Sequence, residues 1–394
     1  MRKPALSLLA AVGISLLAGP AFSADTIKIG NIVAASGYLK GAAEPSLAAF
    51  DIAVAEINAA GGINGKQIEL IRFDTGSDPK QASVAARQMI EDDKVIAILG
   101  PFSSGETRIA MTTAERLGAL MIPTAASAPG LVDGAKWTWR LTEDETKQFS
   151  RLLSAIKAAG LPSATADIVY VSDDVVANTA GTKLYGPLME KAGIKVGEPI
   201  PVQQKSFDMA AQAAQIVSAK PDLVAVAALP DAASKIIKEL RRQGYQGRII
   251  GSQIFSDPYV VDLFGPEGEG ALMVAGFWKG SSAKSAAFDA NLLAELAKRG
   301  NTHKKGAHHS DAQAYDGVYL LKQVMEAAGV TGDPAKLQAE REAILAKMEG
   351  VSFSGVVGDN VCFAGHDAEL PGYSIEIKNG QWTKFAEAPA DKCN

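Results

Sequence analysis

Apolar segments of strand length alternate with segments of helical spacing through most of this chain, and no other feature restricts its fold as strongly. Ile27 and Ile29 open a strand that runs to Val33 and breaks at Ser36-Gly37. Leu47, Phe50, Val54 and Ile57 then recur at helical intervals until Gly61-Gly62 stops the run. Ile68, Leu70 and Phe73 mark the next strand, Asp78-Pro79 caps and starts a helix through Met89, and Val95 to Leu99 form a third strand. After Trp139-Arg140 the cycle restarts with a strand over Ile168 to Val171 that ends in Ser172-Asp173-Asp174. Helices over Thr182 to Ala192, Met209 to Ser218 and Ala232 to Arg242 then alternate with strands over Ile194 to Val202, Leu223 to Ala227 and Arg248 to Gly251. Repeated βα units predict parallel sheets with right-handed crossovers, here an α/β chain of two doubly wound lobes in succession. At roughly 150 residues per domain, the length also predicts two.

The final third departs from the alternation. Leu272 to Phe277 is followed by helical patterns over Ala286 to Arg299, Asp311 to Ala328 and Pro334 to Glu349, with no strand between them. Helices alone cannot found a third sheet, so they are expected to cover the sheets already built. The chain then crosses back to the first lobe near Val274 and returns to the second near Val351. Tyr373 to Ile377 and Gln381 to Phe385 flank Asn379-Gly380, which reads as a hairpin with a type I′ turn. The expected division is a leader over residues 1–23, a first lobe over 24–141 with 275–350, and a second over 142–274 with 351–394. Three crossings make a hinge, with a cleft between the lobes.

Two loops at the carboxyl ends of consecutive strands are the candidate site. The strand ending Ile98-Leu99-Gly100 passes through Pro101-Phe102-Ser103-Ser104-Gly105 into a helical run from Glu106. Ser103 or Ser104 would cap that helix and leave neighbouring N–H groups to face a carboxylate or phosphate. One unit later Leu120-Met121-Ile122-Pro123 opens into Thr124-Ala125-Ala126-Ser127, a second small hydroxyl-bearing loop where open α/β sheets bind ligands.

Arg2 and Lys3 precede an apolar stretch from Ala5 to Ala18, and Gly19-Pro20 leads into Ala21-Phe22-Ser23, the pattern of a cleaved secretory signal peptide. The stretch is shorter than the roughly 20 residues that span a bilayer, and no Cys stands near the cleavage point to carry a lipid. Export to a periplasm is therefore expected. The two cysteines, Cys362 and Cys393, are bound for an oxidising compartment and are expected to pair rather than stay as free thiols. Closing that loop would contribute about 3 to 4 kcal/mol and tie the tail to its domain. A net charge of −5 gives no support to nucleic-acid or membrane-surface binding.

No catalytic constellation holds together. There is no Gly-x-Ser-x-Gly elbow, Gly61 to Lys66 reads as a helix stop, and Gly265 to Gly270 lacks the order of a dinucleotide fingerprint. His303, His308 and His309 crowd a Lys-rich stretch that reads as a solvated loop, and His366 stands alone. Neither enzyme, metal site nor cofactor is expected.

Four ordered stretches carry a family likeness: Phe50 to Gly65 (FDIAVAEINAAGGING), Phe73-Asp74-Thr75 with Asp78 to Ala82, Gly100 to Ser104, and Pro123 to Pro129. Trp139 to Thr142 at the first crossing and Tyr315 to Val318 in a late helix extend it over nearly all of the mature chain. Together they resemble the periplasmic solute-binding proteins of ABC importers, of the leucine/isoleucine/valine-binding type. The resemblance implies a type I periplasmic-binding fold, a monomer whose lobes close on a small molecule bearing a carboxylate and deliver it to an inner-membrane permease.

Carried over by position, Ser104 matches the family's serine that holds the ligand carboxylate, with the Phe102 to Ser104 backbone, and so Ser103, beside it. Ser127 stands for a threonine that binds the same group next to Ala126, Ala125 matches a carbonyl that accepts from the ligand ammonium, and Tyr38 and Leu39 wall the side-chain pocket. The second lobe departs from the pattern. Where amino-acid binders have a glutamate for the ammonium, this chain has Gln253, and a family tyrosine after Asp173-Asp174 is replaced by Val175 to Thr179, with Asn178 among the candidates for contact. Burying an ammonium without an anion costs several kcal/mol, so either Asp174 or Asp257 serves, or the ligand is an aromatic or aliphatic acid without an amine. A ligand-sensing receptor domain is the expectation of another class.

Overall fold

The structure is a computed structural model describing residues 26–206 and 208–393, so the expected leader lies outside it. The first sheet is built by β1 (Ile27–Val33), α1 (Lys40–Ala59), β2 (Ile68–Asp74), α2 (Pro79–Glu91), β3 (Ala97–Leu99), α3 (Ser104–Leu117) and β4 (Leu120–Ile122). Its strands are all parallel, in the order β2-β1-β3-β4. Local chemistry starts the helices where the sequence predicts: Asp78 accepts from the Lys80 N–H with Pro79 in the first turn, and Gly118 ends α3 in the left-handed conformation.

After the first crossing come α4 (Glu145–Ala158), β5 (Thr165–Val171) and α5 (Val175–Thr179), which runs through a π turn at Ala180–Leu184 into α6 (Tyr185–Lys191). The expected helix from Thr182 thus begins seven residues earlier, because Asp174 caps it through the Ala177 N–H. The strand expected over Ile194 to Val202 is two short ones, β6 (Lys195–Val196) and β7 (Ile200–Val202). Then follow α7 (Ala210–Ala219), β8 (Leu223–Ala227), α8 (Pro230–Arg242), β9 (Arg248–Gly251), α9 (Tyr259–Phe264) and β10 (Leu272–Ala275). Strands β5 to β10 pair in parallel, with β8 and β9 central and buried throughout or nearly so.

The last part of the chain returns to both sheets. Helices α10 (Ala283–Lys298), α11 (His309–Ala327) and α12 (Leu337–Met348) cover the first sheet, where Phe288, Leu292, Val318, Leu321 and Ile344 share a core with Ile29, Leu99 and Ile122. Two short strands that the sequence did not signal, β11 (Cys362–Ala364) and β12 (Asp367–Glu369), pair antiparallel with each other, and Asp367 also bridges Arg140 in parallel. Val351, Phe353, Val357, Val361 and Leu370 also pack into that first core, so the return expected at Val351 falls instead near Gly372. There β13 (Gly372–Lys378) joins β10 antiparallel and turns into β14 (Gln381–Ala388), with positive φ at both Asn379 and Gly380, as a type I′ turn needs.

Cys362 and Cys393 form a disulfide. It joins the β11 hairpin, whose Phe363 packs on the first core, to the tail that leaves the second sheet, and so spans the last crossing rather than tying the tail within one lobe. Among the described residues no helix is long and apolar enough to cross a membrane.

Candidate functional site

The first loop turns at Gly100, whose φ is 91° and where a Cβ would stand 2.1 Å from the Ile32 carbonyl, so no other residue fits there. Ser103 caps α3: its Oγ accepts the Glu106 N–H at 3.3 Å, and the Glu106 carboxylate takes the Ser103 N–H at 3.2 Å and hydroxyl at 2.7 Å. Thr75 donates to the other oxygen of Glu106 at 2.5 Å, so this buried acid is fully occupied. The hydroxyl of Ser103 is thereby spent inside the cap. Ser104 differs: its Oγ accepts the Ala128 N–H at 3.1 Å, which joins the two loops and leaves its proton to donate. The first amides of α3 have no acceptor within the helix and point, with its dipole, at the same place.

A buried arginine frames the second loop. Arg140 donates to the Ala126 carbonyl at 3.0 Å and the Ala128 carbonyl at 2.7 Å, and pairs with Asp144 and Asp367. Ala126 therefore offers no carbonyl to a ligand, and its methyl group packs with Leu131 and Val132. The Thr142 hydroxyl lies 3.0 Å from the Thr124 carbonyl, and the Ser127 carbonyl accepts the Glu145 N–H at 3.0 Å. Ala125 and Ser127 are left half-buried on the loop, as is Phe102 beside Ser103.

Of the other expected residues, Tyr38 is exposed at 71% and Leu39 half-buried at the start of α1. Desolvation and then the carboxylates of Asp174 and Glu106, from opposite lobes, push the Tyr38 phenol above its ordinary range. Asn178 turns its amide nitrogen inward to the Ser172 carbonyl at 3.0 Å, where it braces its own loop. Asp174 caps α5. Asp257 is held by the Lys304 ammonium, which also binds Asp311 at 3.1 Å, so one cation is shared between two carboxylates. Gln253 is 4% exposed and its Oε1 has no partner.

His303 is exposed as a solvated loop would have it, but the two histidines after it are not. His309 is buried and His308 half-buried at the start of α11 with ring centroids 3.9 Å apart, and the His308 Nε2 lies 3.0 Å from the Gln253 carbonyl across the cleft. Burial, then the neighbouring His308 and the Lys304 cation, push His309 well below the ordinary histidine range. Burial opposes the charge on Lys304, but Asp311 and Asp257 outweigh it and hold the ammonium protonated. His366 stacks on Trp139 at 4.1 Å.

Glu145 was also missed. It follows the capping Asp144, so in sequence it reads as an acid at a helix dipole, yet it is buried and accepts from the Tyr185 hydroxyl at 3.2 Å. Burial raises its pKa to about 7, against the pull of Tyr185 and with a push from Asp144.

Residues 26–381 match the model of a family described as periplasmic binding protein. The chain is 27% identical over 400 residues, 98% of each chain, to the Leu/Ile/Val-binding protein homolog 1 of Brucella suis. Alignments to some other curated relatives span about 60% of their length. Among solved structures, the branched-chain amino acid transporter substrate-binding protein LivJ of Streptococcus pneumoniae with isoleucine superposes with a TM-score of 0.77 at 24% identity, over 93% of this chain and 100% of that one. A solute-binding protein of an ABC transporter from Rhodopseudomonas palustris with 3,4-dihydroxybenzoic acid gives 0.78 at 20% identity, over 93% and 98%. These likenesses establish a two-lobed solute-binding fold, and the chain belongs to the periplasmic binding protein family.

Proposed function

We propose that this chain is the substrate-binding component of an ABC importer, exported to the periplasm, which captures a small carboxylic acid between its lobes and delivers it to a permease. The observation that carries the reading is the socket at the start of α3. Ser104, tied to Ala128 but with a proton to give, and the helix amides meet beside the Ser127 loop at the carboxyl edge of β3 and β4. Such donors suit an anion with two oxygens, and each charge-assisted bond is worth about 1.5 to 3 kcal/mol. Relatives of this fold bind isoleucine or 3,4-dihydroxybenzoic acid, and both ligands carry a carboxylate.

We place the lobes at residues 26–141 with 277–370, and 142–275 with 372–393, following the two cores. Trapping needs both faces, because a ligand shifts the lobes toward closure only by its extra affinity for the closed state. On the second face Gln253 is neutral and Asp257 shares the Lys304 ammonium with Asp311, so an amine-free acid suits that face as well as an amino acid does. The test is a thermal-shift series on the refolded, ligand-free protein with hydrophobic amino acids, amine-free acids and the methyl ester of each. A ligand at a hundred times its Kd adds about 2.7 kcal/mol. Stabilisation by acids and not by their esters is expected. No response to any acid, or an equal response to esters, would overturn the carboxylate reading.

A further inference from the structure

We infer that Gln253, His309 and Gln313 form an uncharged hydrogen-bonding wall of the ligand cleft that selects a carboxylic acid carrying a hydroxyl group in addition to its carboxylate. The inference rests on the carboxylate reading above.

Four polar atoms of these three side chains are buried without a protein partner: Gln253 Oε1, both ring nitrogens of His309, and Gln313 Nε2. Buried polar groups are rarely left so, since each unmet one costs about 1 to 3 kcal/mol. They converge at the second crossing. A methyl group built on Gly276 would lie 3.3 Å from Gln253 Oε1 and 3.1 Å from His309 Cβ, so the absence of a side chain there leaves the two facing. His309 and Gln313 are four residues apart on α11 and share one of its faces. Gln313 is joined to the socket, because Thr142 links it at 2.7 Å to the Thr124 carbonyl, one residue from Ala125. The Thr142 hydroxyl has one proton for two carbonyl oxygens. If that proton goes to Thr124, the Gln313 amide turns to donate, and its free atom becomes the oxygen. Either way one end of the amide stays unpartnered.

The chemistry of the wall discriminates between groups. Neutral His309 has one N–H donor and one acceptor, and Gln253 Oε1 accepts. A hydroxyl gives a proton and receives one, so it satisfies both. An ammonium has three protons and no acceptor, so it would leave the His309 N–H unmet. A plain hydrocarbon end would leave every one of these atoms unmet, the situation in which polar sites reject a deoxy analogue most strongly.

The test is calorimetric titration of the refolded protein with matched pairs: benzoate against 3- and 4-hydroxybenzoate, 3-methylbutanoate against 3-hydroxy-3-methylbutanoate, with leucine as the cationic arm. In at least one pair the hydroxylated member is expected to bind roughly 10- to 100-fold more tightly. That ratio is expected to fall to within about threefold in Gln253→Leu and in His309→Phe, each checked by its melting curve. Should either variant fail to fold, the wild-type ratios still decide. Equal affinities within every pair, or leucine binding more tightly than all hydroxy acids, would overturn this inference and leave the carboxylate reading standing. Failure of every acid to bind would instead bring down the reading on which it rests.

Discussion

At the socket of the first lobe the groups that meet a ligand are main-chain amides and one hydroxyl, held in a finished frame of hydrogen bonds. Where the second lobe meets α11, contacts run between the lobes, and Gln253 Oε1, both ring nitrogens of His309 and Gln313 Nε2 have no partner. Glu106, Arg140 and Thr142 complete the first frame, and their partners all lie in the lobe itself or in the segments that join it to its neighbour. Gln253 and Asp257, by contrast, reach His308 and Lys304 on the opposite wall. A socket of fixed dipoles grips a common group without rearrangement. A face of partly unmet side chains gains its partners on closure, so specificity is better placed there.

The comparison breaks most visibly if the first frame proves dispensable. Replacing the fully buried Arg140 by Met strands two carbonyls and two carboxylates, and about 3 kcal/mol of stability is expected to go in urea unfolding. Arg140→Lys should recover less than half of that, because one ammonium cannot span the fork. Unchanged stability in Arg140→Met would mean that the loop is held by something else.

Next in size is the tie between the lobes. The disulfide closes a separation of 31 residues, and removing it as Cys362→Ser with Cys393→Ser is expected to cost about 3 to 4 kcal/mol on the chain-entropy estimate. If the bond serves the crossing and not one lobe, scanning calorimetry should show the two lobes melting apart in the variant and together in the parent.

Glu145, at the root of the cleft, sharpens the contrast through pH. Its folded pKa of about 7 lies above the 4.5 of an ordinary glutamate, so the folded state holds the extra proton between these values. Stability from this group is therefore present at low pH and falls as pH rises through that window. Glu145→Gln mimics the protonated form, so it should gain up to about 3 kcal/mol over the parent at pH 8 and nothing near pH 4.5. Equal differences at both pH values, by thermal melting, would refute the assignment.

The smallest effect is the most local. Ser104→Ala should lower carboxylate affinity about tenfold while costing about 1 kcal/mol of stability for the lost Ala128 contact. Ser103→Ala should do the reverse, with more loss of stability than of affinity, since its hydroxyl is spent in the cap.

Much of the fold was legible because its signals are local. The Asp78-Pro79 start, the Ser103 with Glu106 box and the Asn379-Gly380 turn each act within four residues, and each formed where its chemistry is written. The β11 and β12 pair was not legible, since three-residue strands with partly exposed side chains have no pattern to show. Nor was the burial of His309 beside a half-buried His308. Their flank is rich in lysine, and what covers them, the Gln253 to Asp257 segment, lies about 50 residues away in sequence, with separations of 55 and 47 at the two bonded contacts.

The sequence alone therefore determined the alternating architecture, the socket loops and the family likeness, because helix caps, turns and strand patterns are decided by near neighbours. Only the tertiary structure decided which hydroxyl of the Ser103-Ser104 pair remains free, that Lys304 pairs with both Asp257 and Asp311, and that Gln253, His309 and Gln313 each keep a buried polar atom without a partner. Those outcomes depend on which atoms distant segments bring together, and on which of them find a partner once water is excluded.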